Sequence, residues 1–156
     1  MTEYRPRFFT SDDEIIHRGE RFLARDLPKE EWTHEAHLAT TIWLLLKRPD
    51  IDVDSELPGL IRRYNESVGG VNSDSEGYHE TITQLFIRTL RAALAKSEGQ
   101  GLAERVNAIL RAPEGRRDWP LHFYSRDLLF SKEARLGWVE PDLAPLAPFR
   151  FKPGGS

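Results

Sequence analysis

The sequence predicts an all-α fold, a single helical bundle of about five main helices with an irregular, proline-rich C-terminal wrap. Three observations carry that prediction. Apolar residues recur at helical spacing through most of 10–111, no useful stretch alternates apolar and polar residues, and Ser, Thr, Gly and Pro fall where helices start and stop. The 156 residues are the size of one domain, with a helical core over 10–111 and short helices and an extended tail over 112–156.

Ser11-Asp12-Asp13-Glu14 reads as a capping box, the serine hydroxyl and the glutamate each serving the other's free backbone amide. It opens a helix to Arg25 with Ile15, Ile16, Phe22 and Leu23 on one side, Gly19 placed for close approach of a neighbour, and Leu27-Pro28 as the stop. Thr33 caps a second helix that reaches Lys47-Arg48 before Pro49. Because Leu38, Ile42, Trp43, Leu44, Leu45 and Leu46 point nearly all round, that helix should be central. A third helix is expected over 55–68, with Pro58 in its first turn and Gly69-Gly70 ending it. The fourth is expected over 76–97 on the stripe Ile82, Phe86, Leu90, Ala93, Leu94, and the fifth over 101–111 on Leu102, Val106, Ile109, Leu110. Beyond Ala112-Pro113 the repeated prolines forbid long elements. Short turns are expected over 125–130 and 131–136, followed by a tail through Trp138, Val139, Leu143, Leu146 and Phe149.

Hydrophobic residues make up 39% of the chain and aromatics 10%, which is enough to bury a core. Lys plus Arg total 22 against 25 Asp plus Glu, a formal charge of -3, and the basic residues are scattered, so a nucleic-acid partner is not expected. The absence of cysteine excludes disulfides, thiolate metal sites and cysteine nucleophiles. The apolar run 42–46 is too short to span a bilayer and the first residues lack a signal-like apolar stretch, so the expectation is a cytoplasmic protein with no membrane partner.

The histidines are the informative polar residues. His34 and His37, three apart, share a face with Leu38 and Thr41, and His79 projects along the stripe of Phe86 and Leu90. Three inward imidazoles either satisfy one another, line a polar pocket, or bind a divalent transition metal, zinc first, with a position open for water. The leading expectation is a metal-binding protein with His34, His37 and His79 as ligands, acting as a metal-dependent enzyme on a small molecule, with Glu35 and Glu80 as proton carriers. The alternative is a non-catalytic module that holds a small ligand in a histidine-lined polar pocket, or that homodimerises through exposed Trp119 and Trp138. Tyr78, Asn72, Tyr124 and Arg126 are the candidate substrate contacts, and Ser125 beside the last two reads as a helix cap. His17 is expected at the surface; His122 is either a fourth ligand or packed under the tail. Thr83 stands where His-Glu-x-x-His needs its second histidine, so a zinc protease is not expected. No nucleophile elbow or phosphate loop is present.

The segments Trp32-Thr33-His34-Glu35-Ala36-His37-Leu38, Gly77-Tyr78-His79-Glu80-Thr81-Ile82-Thr83, and Tyr124-Ser125-Arg126 through Trp138-Val139-Glu140-Pro141-Asp142 resemble those of a family of small uncharacterised bacterial all-helical proteins. The resemblance covers most of the chain. It implies a bacterial cytoplasmic protein and supplies no catalytic role.

Overall fold

The computed structural model describes residues 6–97 and 99–146; Phe149, assigned to the tail, lies outside them. The described residues form seven α-helices and three single 3-10 turns, with no strand among them. The five longer helices are α1 (Asp12–Ala24), α2 (His34–Lys47), α3 (Val53–Ser67), α4 (Glu80–Ala95) and α5 (Leu102–Arg111). Two short ones follow, α6 (Arg126–Leu129) and α7 (Lys132–Leu136).

Local chemistry sets most boundaries. Ser11 Oγ accepts from the Glu14 amide at 3.1 Å, but the Glu14 carboxylate reaches back to the Thr10 N–H at 2.8 Å, one residue before the expected partner. Thr33 Oγ1 caps α2 by accepting from the Ala36 amide at 3.1 Å. Helix α3 starts two residues earlier than its expected first turn, which leaves Pro58 inside the helix. The Asp54 carbonyl, which an N–H at position 58 would have served, accepts instead from Gln84 Nε2 at 3.2 Å. Gly69, at φ +88°, ends α3 with Gly70, whose amide donates to the Asn65 carbonyl at 2.7 Å.

Helix α4 starts at Glu80, four residues later than expected. Gly77 holds φ +86°, and a Cβ there would collide with the Val71 carbonyl, so the chain turns before it can coil. The residue that caps α4 is His79, whose Nδ1 accepts from the Ile82 amide at 3.2 Å.

Helix α2 is the centre of the main core, touching α1, α3, α4 and α5, and it buries eight residues, Ala36 and Leu38 to Leu44. Gly19 lets α1 press its backbone on the Trp43 indole. Phe22 stacks on Trp32 at 4.3 Å between ring centroids, and the buried Tyr64 hydroxyl donates to the Leu27 carbonyl at 2.8 Å. A smaller core of Leu85, Tyr124 and Leu129 sits where α6 and α7 meet the start of α4. No helix is long and apolar enough to cross a membrane among the described residues.

Candidate functional site

The expected three-histidine metal centre does not form. Among the described residues no group of His, Asp or Glu is placed to hold a metal ion, which removes the zinc-dependent reading. The packing gives the reason. His34 meets the ring of Phe86, and Phe86 lies seven residues along α4 from His79, about 10 Å at 1.5 Å per residue. His79 is also fully engaged. Its Nδ1 caps α4 and its Nε2–H donates to the Leu129 carbonyl at 2.7 Å, which fixes the neutral tautomer and leaves no lone pair for a metal. Burial, the main cause, holds its pKa below the usual histidine value. His34 Nε2 donates to the Gly115 carbonyl at 2.9 Å, and burial likewise lowers its pKa. His17 is exposed, and so is His122, whose Nδ1 meets the Trp119 carbonyl at 3.1 Å.

The two glutamates face elsewhere. Glu35 takes the Arg7 amide at 3.4 Å, and Glu80 accepts the Tyr78 hydroxyl at 2.6 Å. Neither carboxylate lines the cavity that holds His34 and His37. Tyr124 is buried and donates to the Val139 carbonyl at 2.6 Å, while Arg126 is exposed. Ser125 between them is taken by the chain itself: the Asp142 carboxylate accepts both the Ser125 amide at 2.8 Å and the Ser125 hydroxyl at 2.7 Å. Those two bonds hold the Asp142 pKa below the usual carboxylate value. Trp119 and Trp138 are half-buried, their indole N–H groups bonded to Thr89 and Glu140, so neither is the bare aromatic that a docking surface was expected to use.

Two cavities concern the other expected contacts. The first, about 430 Å³, lies between α3, the 69–79 loop and α7, and contains two of the expected substrate contacts, Tyr78 and Asn72. The Asn72 amide is saturated: Oδ1 accepts from the Tyr78 and Asn65 N–H groups, each at 3.0 Å, and Nδ2 donates to the Arg62 carbonyl and to Glu66. It shapes the loop. The chemistry of the cleft comes from Arg62 and Arg135. Arg62 lies over the Tyr78 ring at 4.5 Å and has no ion pair among the described residues. Arg135 Nη1 donates to the Gly77 carbonyl at 2.8 Å, which pins the guanidinium at the rim. Asp74 is the one acidic side chain on the wall, against these two cations. The Tyr78 hydroxyl stays protonated, its pKa raised by burial and by the bond to Glu80.

The second cavity, about 90 Å³, lies between α2, α3 and α4. Leu38, Leu57, Ile61, Ile82, Phe86 and Ile87 make most of its wall, with His34, His37, Thr41 and Thr83 as the polar groups. The expectation of a polar, histidine-lined pocket is therefore corrected twice: the wall is mainly apolar, and His79 is not part of it. The His37 ring lies tilted against Trp32 at 3.9 Å between centroids, and neither of its ring nitrogens has a hydrogen-bond partner among the described residues. Burial drives its pKa down to about 3, with His34 and Arg117 adding to the shift, so the ring is neutral at pH 7. Thr41 is spoken for, its hydroxyl bonded to the His37 carbonyl at 2.8 Å.

Sequence reasoning missed Arg62 and Arg135 because each is one of many arginines on a helix surface. The available signal was Gly69-Gly70 and Gly77 bracketing a polar loop, which marks a chain reversal that can fold over a neighbouring helix. Comparison with protein-family models, with curated proteins and with solved structures gave no match.

Proposed function

We propose that the protein is a small-molecule-binding domain that takes a small organic anion in the cleft between α3, the 69–79 loop and α7. The observation that carries the reading is the meeting of two guanidinium groups, from helices far apart in sequence, on one 430 Å³ concavity. A guanidinium presents a planar fork of donors that matches a carboxylate or a phosphate, and two forks outweigh the single Asp74. Arg62 rests over the Tyr78 ring and Arg135 is held by a backbone carbonyl, so less side-chain freedom is lost when the anion arrives. Leu136 on the same wall gives the organic part of the ligand an apolar surface. Tyr78 and Asn72 serve as positioning groups in this reading.

The test is a titration with succinate, benzoate and inorganic phosphate, followed by the amide resonances of residues 70–78 and 132–137. Saturable shifts with at least one organic anion are expected, weakened by added salt and reduced tenfold or more in Arg62→Gln. Arg126→Gln, away from the cleft, should bind as the wild type does. Equal affinity in Arg62→Gln and wild type, or no saturable shift with any of the three, would overturn the reading.

A further inference from the structure

The α2–α3–α4 cavity is independent of the arginine cleft and calls for a ligand of different chemistry. A neutral imidazole offers one N–H donor and one lone pair, and a hydroxyl-bearing guest can meet either of them. His37 offers both: it lines the cavity, its ring lies tilted against Trp32, and no described residue bonds it. Its neighbours define what the guest must be. No charged side chain lines the wall, so an anion or a cation would lose its hydration without a partner. Six aliphatic and aromatic side chains surround the space and favour an apolar body. The volume of about 90 Å³ sets the size, since a dry cavity of about 150 Å³ holds a benzene ring. A chain of a few carbons is what this one accommodates.

We propose that this cavity is a binding site for a small neutral molecule with a short apolar body and one hydroxyl, the hydroxyl bonding the ring of His37. A hydroxyl donates and accepts, so it answers whichever ring nitrogen carries the proton. Thr83, on the facing wall of α4, is placed as a second polar neighbour, and His34, tied to Gly115, closes the end of the space.

The probe is 1-butanol, compared with butyrate and butylammonium, which keep the chain and replace the neutral head by a charge. Binding is followed by the His37 ring proton resonances and by the amides of α2, α3 and α4. Saturable shifts confined to these groups are expected with 1-butanol, and each charged analogue should bind at least tenfold more weakly. His37→Phe should lose the 1-butanol response. If that variant fails to fold, Ile61→Phe serves instead, since it fills the cavity from α3 and should abolish binding with the His37 ring intact. The proposal is overturned if the charged analogues bind as well as the alcohol, if His37→Phe or Ile61→Phe binds with wild-type affinity, or if 1-butanol gives no saturable shift.

Discussion

Lowering the pH should destabilise this protein through His37. The folded pKa of about 3 lies below the ordinary histidine value of 6.5, so the unfolded chain takes up the proton first. The contribution to stability is therefore complete above about pH 6.5 and is lost as the pH falls towards 3. Each pH unit is worth about 1.4 kcal/mol, so the two units from 6.5 to 4.5 cost about 2.7 kcal/mol, and the part of the ring open to the cavity lowers that to about 2 kcal/mol. His34 and His79 are shifted in the same direction and add to the loss in the same window. Asp50, Asp118 and Asp142 titrate below the ordinary 3.8 and stay out of it. Urea unfolding at pH 7.0 and pH 4.5 checks the argument in wild type and in His37→Gln, which cannot titrate there. The wild type should lose about 2 kcal/mol more than the variant between the two pH values. A His37 ring titrating near pH 6.5, or equal losses in both proteins, would refute the reasoning.

Three further outcomes are expected. Gly19→Ala places a methyl group in the Trp43 indole and should destabilise by about 1–3 kcal/mol in thermal or urea melts, although alanine is the better helix former. A neutral or stabilising result would show that α1 and α2 are not in close contact there. His79→Leu strands the Ile82 amide and the Leu129 carbonyl and should cost about 1–3 kcal/mol, with His79→Asn, which can still cap α4, costing less; equal stability of all three proteins would contradict the capping role. Gly77→Ala forces a side chain into the left-handed region and against the Val71 carbonyl. It should broaden or shift the amides of 70–78 and weaken anion binding tenfold or more, and an unchanged spectrum would count against the loop geometry.

The helices were legible because their determinants are local. Ser11, Thr33, Ser125 and Ser131 announce their caps by residue type, and all four hydroxyls accept the amide that the rule assigns. The all-round apolar surface of 38–46 announced the central helix. The errors arise where a distant group decides. Position 58 is tolerated inside α3 because Gln84 supplies the missing donor, and α4 is delayed because the loop before it packs on itself at Gly77. The site was harder still. Helical spacing correctly turns His79 inward, but inward is a direction, not a destination: the same side chain that points along the Phe86 stripe ends on the carbonyl of Leu129, fifty positions away. Arg62 and Arg135 gain their meaning only from the fold that brings them to one cleft.

The attachments of the last described segment share one address. Leu129, Gly137 and Val139 bond to His79 and Thr81, and Arg135 bonds to Gly77, across 50, 56, 58 and 58 positions of chain. Such long closures lose entropy before they gain contacts, so they form after the local helices in a folding sequence. Arg135 therefore reaches the cleft in the same late event that seats α6 and α7. On the proposed function, anion binding would then report on completed folding, and an anion present during refolding would draw the final docking step forward by mass action.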